Sequence, residues 1–114
     1  MTLKIHHMIH DINESNFQTQ VLESTVPVLV DFWGEYCAPC SAIAVTLEQL
    51  ASELDGAAKI VKIDAHANAS ISARYSVRSV PTLLFFHHGQ VVDQFIGAHI
   101  SKDQLKSKLL SPHP

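Results

Sequence analysis

The run from Val26 to Trp33 sets the tightest limit on how this chain can fold. It is almost continuously apolar, is rich in β-branched and aromatic residues, and carries one charged residue, Asp31. A strand with one face in water alternates polar and apolar residues, whereas a strand buried on both faces is apolar throughout. We therefore expect this run to be the central strand of a sheet that has helices on both sides.

The segments around this run alternate between helix and strand patterns. An apolar stripe at helical spacing follows it and predicts a long helix that ends near Gly56; the stripe consists of Ile43, Leu47, Leu50 and Leu54. Other helices are predicted from Asn13 to about Glu23, from Asn68 to Tyr75, and from Ser101 onward. Strands are predicted at 59–64, 82–86 and 91–96, with a hairpin turn at 87–90 and a further strand candidate at 5–9. This order predicts an α/β fold with a mixed sheet.

Length and charge narrow the class of protein. The 114 residues suit one domain, which we expect to span residues 1–110 with a tail at 111–114. The net charge is −3 and the eight Lys and Arg residues form no basic run, which argues against a nucleic-acid partner. The apolar runs are far shorter than the roughly 20 residues that span a bilayer, and the first residues lack the apolar stretch of a secretory signal. We therefore expect a monomer in the cytoplasm, without a membrane partner.

Two cysteines are present, and they occur together as Cys37-Ala38-Pro39-Cys40 at the start of the predicted long helix. Cysteines three residues apart on a helix share one face and can bond to each other. The helix N-terminus stabilises a thiolate, so Cys37 is the expected attacking sulfur. Pro39 suits the first helical turn, where no N–H is needed. The spacing predicts reversible thiol–disulfide chemistry.

Two other uses of the cysteine pair stay open at this level: buried thiols without chemistry, and half of a zinc site. A zinc site needs further ligands, and the chain has no other cysteine. His6 and His10 have the spacing of zinc-binding histidines, but they precede the cysteines and lie near a candidate strand rather than on a helix. We expect no metal, and we expect the eight histidines to lie at the surface.

Two segments carry a resemblance to a known family. Residues 30–40 read Val-Asp-Phe-Trp-Gly-Glu-Tyr-Cys-Ala-Pro-Cys and resemble the active-site strand, turn and helix start of the thioredoxin family. Residues 74–86 resemble the second signature of that family, in which a proline precedes a strand. The resemblance implies the thioredoxin fold, a central mixed sheet of about five strands flanked by four helices. It also implies a protein-disulfide reductase without a bound cofactor, which takes part in electron transport and cell redox homeostasis and is recycled by a thioredoxin reductase.

The same resemblance implies roles for particular residues. Cys37 would attack a disulfide of a partner protein and Cys40 would resolve the mixed disulfide. Pro81 would follow a cis peptide bond and face the dithiol, the alternative being an ordinary proline at a strand start. Asp31 would accept the proton of Cys40, with Lys62 as its nearest charged neighbour. A carboxylate in an apolar strand is costly and its pKa should rise; a solvated aspartate at a strand end is the alternative.

A rim for docking an extended partner segment is expected around the dithiol. Its members are Trp33, Tyr36, Ala38, Pro39, Val80, Gly97 and Ala98. The bend before Pro81 would turn the Val80 backbone outward, where a substrate segment can pair with it as an added strand. For Trp33, simple core packing is the alternative.

The chain also departs from the family pattern. The family commonly reads Trp-Cys-Gly-Pro-Cys, whereas Tyr36 and Ala38 stand here, and Ser41 occupies a position that is commonly basic. Ser76 and Ser79 replace common glycines. No reacting group is lost, so these changes bear on redox poise and partner choice. Two other functions stay open: a binding module in which the dithiol is incidental, and an oxidase or isomerase of an oxidising compartment.

Overall fold

The computed structural model describes residues 9–111, which form a five-stranded sheet with helical segments on both faces. The strands are β1 (His10–Ile12), β2 (Val28–Trp33), β3 (Lys59–Asp64), β4 (Thr82–His87) and β5 (Gln90–Ile96). The helical segments are a π-helical segment (Gln18–Leu22), α1 (Ala38–Leu54), α2 (Ala69–Arg74) and α3 (Lys102–Leu110). The predicted α/β class, with a mixed sheet and four helices, is confirmed within this range.

β2 lies at the centre of the sheet, as its apolar sequence predicts. The strand order is β1-β3-β2-β4-β5; β3 is parallel to both β1 and β2, whereas β4 is antiparallel to β2 and β5. Asp31 on β2 therefore has Lys62 as its neighbour on one side and Leu83 on the other. Every residue of β2 from Val28 to Phe32 is buried, because this strand is paired on both edges and covered on both faces.

Alternate side chains of the sheet pack into two cores, one on each face. On one face, Val30 and Phe32 cluster with residues of the π-helical segment and α2, among them Val21 and Ile71. On the other face, Leu29 clusters with the predicted stripe of α1 and with two leucines of α3; these are Ile43, Leu47, Leu50, Leu54, Leu105 and Leu109. The period of two along β2 places Asp31 on the α1 face, beside the helix that carries the cysteines.

The ends of the two longest helices agree with the sequence. α1 ends at Leu54, and the two residues after it, Asp55 and Gly56, both have positive φ. Ser101 begins α3 through a capping box, in which its hydroxyl accepts from the Gln104 N–H at 3.1 Å and its own N–H donates to Gln104 Oε1 at 3.0 Å. The hairpin between β4 and β5 has positive φ at His88 and Gly89, the backbone that a two-residue hairpin turn requires.

The first helix is shorter than predicted. Asn13 does not cap it, because the Asn13 Oδ1 accepts hydrogen bonds from the N–H and hydroxyl of Ser15 at 2.8 and 2.6 Å. These local bonds stabilise a turn at residues 14–16, and the π-helical segment begins only at Gln18. The strand candidate at 5–9 lies outside the described residues except for Ile9, and β1 follows it.

The predicted cap of α2 is in place but makes different bonds. Asn68 precedes the helix without a capping hydrogen bond from its side chain. Its amide nitrogen donates to the Asp64 carbonyl at 3.0 Å, and its amide oxygen accepts from the Glu14 N–H at 3.0 Å. Asn68 thus joins the start of α2 to the loop after β1. Ser76, which stands where the family commonly has glycine, takes the left-handed conformation with a φ of 57°.

The longest helix, α1, has 17 residues. A membrane-spanning helix needs about 20 apolar residues, and α1 has a polar, exposed side. Within residues 9–111, no helix has both the length and the apolar character to cross a bilayer.

Candidate active site

The two cysteines form a disulfide at the N-terminus of α1, with their Cα atoms 5.2 Å apart. Cys37 is the N-cap residue, and its sulfur accepts the Cys40 N–H at 3.2 Å. Cys37 is half-buried, whereas Cys40 is 7% exposed. A visiting sulfur can therefore approach Cys37 more readily than Cys40. In the reduced protein, the same N–H and the helix dipole favour a thiolate on Cys37.

Three members of the expected rim are exposed. Tyr36 precedes Cys37, has a positive φ of 55° and is fully exposed. Ala38 and Pro39 lie at the start of α1 and are also exposed, with Pro39 in the first turn as predicted. This part of the expected rim is open to a partner.

Pro81 lies immediately before β4, which begins at Thr82. The Val80–Pro81 peptide bond is cis, as the resemblance implies. The carbonyl oxygen of Val80 is 3.8 Å from Cys37 Sγ, so the segment before Pro81 faces this sulfur. Pro81 itself is buried and Val80 is half-buried.

Asp31 is the buried charged group of this site. It is 3% exposed, and its Oδ1 has no hydrogen-bond partner within the described part of the chain. Burial raises the pKa of Asp31 from 3.8 to about 7; Lys62 opposes this rise and Asp11 adds to it. The alternative of a solvated aspartate at a strand end is wrong.

A cavity of about 530 Å³ connects Asp31 with the cysteines. Its lining includes Lys62 and Trp33, together with Gly34, Tyr36, Cys37, Ala38, Cys40, Ser41 and Ala44. The sequence predictions missed Ser41 and Ala44 as lining residues. Helix periodicity is the signal that could have found them, because each follows a cysteine by four residues and lies on the same face of α1. Asp31 and both cysteines therefore border the same cavity.

Trp33 is half-buried and lines the cavity. Its indole Nε1 donates to Asp11 Oδ1 at 3.4 Å. The ammonium of Lys62 lies 5.8 Å from the centroid of its ring, within the range of a cation–π contact. Asp11 was missed by sequence reasoning, since nothing in the local sequence connects β1 with Trp33.

Gly97 and Ala98 lie beside Pro81 rather than at the cavity. The Gly97 N–H donates to the Pro81 carbonyl at 2.9 Å. Gly97 has a φ of 108°, a backbone conformation that residues other than glycine rarely adopt. Ala98 is half-buried against the α1-face core. The Gly97 hydrogen bond therefore supports the Pro81 segment, whereas Ala98 packs against the core.

The five histidines of the described residues divide into two groups. His10, His66, His88 and His99 are exposed, as predicted. His87 is half-buried, and its Nε2 lies 3.0 Å from the Leu109 carbonyl oxygen. Within residues 9–111, no three histidine, cysteine or acidic side chains are grouped as metal ligands would be. His6, whose spacing from His10 allowed the zinc alternative, lies outside the described residues.

A thiol–disulfide oxidoreductase has an active site with two sulfurs, which can bond to each other or to a sulfur of another protein. The site described here defines this class of protein. Comparison with known proteins narrows the class. The thioredoxin family model matches residues 8–111. The chain belongs to the thioredoxin family and is a thiol–disulfide oxidoreductase.

Individual relatives are similar over most of the chain. Thioredoxin C-2 of Corynebacterium nephridii is 47% identical over 90 residues, which are 79% of this chain and 83% of that protein. Thioredoxin of Haemophilus influenzae is 45% identical over 94 residues, which are 82% and 87% of the two chains. Thioredoxin M-type, chloroplastic, of Spinacia oleracea is 40% identical over 107 residues, which are 91% of this chain and 59% of that protein.

Proposed function

We propose that this chain reduces disulfides of partner proteins through Cys37 as nucleophile and Cys40 as resolving thiol. The observation that carries the proposal is the cavity in which the more accessible Cys37, the shielded Cys40 and the buried Asp31 meet. The unequal exposure of the two sulfurs supports this order of attack. Asp31 supports the proton transfer that the second step needs.

In the first step, the Cys37 thiolate attacks one sulfur of a partner disulfide. A new sulfur–sulfur bond forms between Cys37 and the partner, and the partner's own disulfide breaks. The electron pair of the broken bond leaves on the partner's second sulfur, which takes up a proton. The product is a mixed disulfide, held at the N-terminus of α1.

In the second step, Cys40 loses its proton to the Asp31 carboxylate and attacks Cys37 Sγ. The Cys37–Cys40 disulfide forms, and the mixed disulfide breaks with its electron pair leaving on the partner's sulfur. That sulfur takes up a proton, so the partner leaves as a dithiol that is reduced by two electrons. A carboxyl group with a pKa of about 7 is suited to both accepting and releasing a proton near neutral pH. Lys62, in register with Asp31, stabilises the ionised carboxylate.

The partner segment docks in extended form beside Cys37. The Val80 carbonyl, 3.8 Å from Cys37 Sγ, is the acceptor that such a segment would meet first. Exposed Tyr36, Ala38 and Pro39 supply contact surface on the α1 side, and Trp33 borders the cavity. Gly97 holds the Pro81 segment in place through its hydrogen bond to the Pro81 carbonyl, and the neighbouring Ala98 packs against the core.

The oxidised dithiol must be reduced again for a second turnover. We assign this step to a thioredoxin reductase that draws electrons from NADPH, which makes the chain a carrier in electron transport and cell redox homeostasis. We place a monomeric chain in the cytoplasm, in keeping with its bacterial relatives, with no nucleic-acid or membrane partner. The chloroplast relative makes an organelle the competing location.

Reduction of a test protein disulfide examines the order of attack. Cys37→Ser should abolish turnover, whereas Cys40→Ser should accumulate a covalent adduct through Cys37 that a thiol reductant releases. Val45→Ser, a polar replacement at an exposed position of α1 outside the cavity lining, is the control and should keep full activity. Turnover by Cys37→Ser, or an adduct on Cys40 in the unaltered protein, would contradict the proposed roles.

A further inference from the structure

Three charged residues form a row across the parallel part of the sheet. Asp11 on β1 pairs in register with Lys62 on β3, and Lys62 pairs in register with Asp31 on β2. Neighbours in parallel strands point to the same face, so all three belong to the face that α1 covers. Two strand spacings of about 4.8 Å put the two aspartates roughly 10 Å apart. Lys62 thus stands between two carboxylates.

Asp11 also makes a direct contact with the site. Its Oδ1 accepts the Trp33 indole N–H at 3.4 Å, and Lys62 Nζ lies 5.8 Å from the centroid of the same ring. Trp33 and Lys62 both line the cavity that reaches the cysteines, whereas Asp11 lies outside that lining and is exposed. Asp11 therefore contacts a lining residue, Trp33, from outside the cavity.

We propose that Asp11 is a positioning residue of this dithiol site: it holds the Trp33 indole and competes with Asp31 for Lys62, so its charge sets how readily Asp31 takes up a proton. The inference rests on the proposed function for its catalytic meaning, but the coupling between the two aspartates can be measured without turnover. Asp11 lies on the edge strand, so this coupling depends on strand pairing rather than on the active-site sequence.

The sign of the coupling follows from the groups that face Asp31. β3 contributes Lys62, β1 contributes Asp11, α1 contributes the two cysteines, and β4 contributes the uncharged Leu83. The negative charge of Asp11 disfavours a second carboxylate nearby, and it attracts the ammonium of Lys62, which is in register with both aspartates. Both effects raise the pKa of Asp31, in the direction that the structure gives for Asp11. Removing the charge of Asp11 must therefore lower that pKa.

The test is a pH titration of the Asp31 carboxyl carbon by NMR, made on the oxidised full chain, in which the cysteines do not titrate. Asp11→Asn removes the charge but keeps an amide oxygen for the Trp33 N–H. In this variant, the pH midpoint of the Asp31 titration should fall by about 0.3 to 1.2 pH units. This is the range expected for two unit charges about 10 Å apart at effective dielectric constants from about 80 to 20. Asp11→Glu keeps the charge, and its midpoint should stay closer to that of the unaltered protein.

Asp55→Asn is the matched control, because it removes one negative charge at the opposite end of α1 and should leave the midpoint unchanged. The inference is overturned if the Asp31 midpoint is unchanged or raised in Asp11→Asn. It is also overturned if Asp55→Asn lowers that midpoint by the same amount as Asp11→Asn. Circular dichroism checks that the variants are folded; if Asp11→Asn is not, Asp11→Ser serves in its place with the same expected fall.

A second readout connects the coupling with catalysis. In this assay, a chromophoric aromatic thiol is attached to Cys37 as a mixed disulfide, and Cys40 releases it. The rate of release is measured against pH. In Asp11→Asn, the acidic limb of this pH profile should shift to lower pH by the same amount as the NMR midpoint. A rate profile that stays in place while the NMR midpoint moves would reject proton transfer by Asp31 and leave the coupling intact. The two failures are thus distinguishable.

Discussion

Asp31 and Lys62 lie side by side in register on neighbouring parallel strands, and both line the cavity that reaches Cys40. The buried carboxyl group therefore has a cation as its neighbour without forming an ion pair within the described residues. Burial dominates this balance, because the pKa of Asp31 rises to about 7 in spite of Lys62. In the proposed mechanism, the affinity of Asp31 for the Cys40 proton therefore depends on the burial of Asp31 and on the charge of Lys62.

Lys62→Met should raise the pKa of Asp31 above its value of about 7, because the change removes the positive charge that favours the ionised carboxylate. An NMR titration of the Asp31 carboxyl group in the oxidised protein measures this shift. Lys59→Met, which replaces the lysine at the start of β3, should leave the midpoint of the Asp31 titration unchanged. A fall of the midpoint in Lys62→Met would show that Lys62 does not act on Asp31.

Asp31→Ala should slow the resolution of the mixed disulfide at pH 7 by roughly 100-fold, at the low end of what general base catalysis contributes. Rapid-mixing measurements of the second step give the rate. The pH dependence supplies an internal control: above the ordinary thiol pKa of about 8.5, Cys40 ionises without a base, so the two proteins should converge. An equal rate at pH 7 would reject Asp31 as the acceptor.

The raised pKa of Asp31 also predicts how stability changes with pH. The folded protein binds the Asp31 proton up to about pH 7, whereas the unfolded chain releases it near 3.8. The free energy of unfolding therefore falls as pH rises between these two values, by about 4 kcal/mol for this one group. Asp31→Ala lacks this dependence, so the stability difference between the two oxidised proteins should shift by about 4 kcal/mol in favour of the variant between pH 4 and pH 8.

Urea unfolding at both pH values measures this change. The cavity left by the smaller side chain costs the same at each pH, so the difference between the two pH values isolates the carboxyl group. A stability difference that does not change with pH would mean that Asp31 keeps an ordinary pKa in the folded state.

Gly97→Ala should lower both stability and activity. A Cβ at Gly97 would meet no atom within 4 Å, so the cost comes from its φ of 108° rather than from a clash. Gly56→Ala is a matched control, because Gly56 also has a positive φ and open space but lies at the far end of α1. Each variant should lose roughly 1 to 2 kcal/mol of stability.

Only Gly97→Ala should also reduce kcat/KM for a protein disulfide, since Gly97 donates its N–H to Pro81 beside the dithiol. Steady-state reduction of a test protein, with unfolding curves for both variants, separates the two effects. Equal kcat/KM values for the two variants would count against a role of Gly97 in holding the Pro81 segment.

Much of the fold follows from local patterns. The bounds of β3 are as predicted, and the apolar stripe of α1 and the Ser101 cap are where periodicity and capping place them. The first helix is the main local error, because the Asn13 side chain bonds within a turn instead of capping the helix. In a helix cap and in a turn, the Asn13 side chain accepts from backbone N–H groups of the same kind. The nearby sequence alone therefore did not distinguish the cap from the turn.

The amino-acid sequence by itself determined that β2 is buried at the centre of the sheet and that two cysteines share the start of a helix, because both depend on residues adjacent in the chain. Tertiary structure decided what surrounds them. The cis bond that turns Val80 toward Cys37, and the pairing that brings Asp11 to Lys62 and Trp33, join segments far apart in sequence. Such contacts depend on strand register and packing across the whole sheet, which no local pattern encodes.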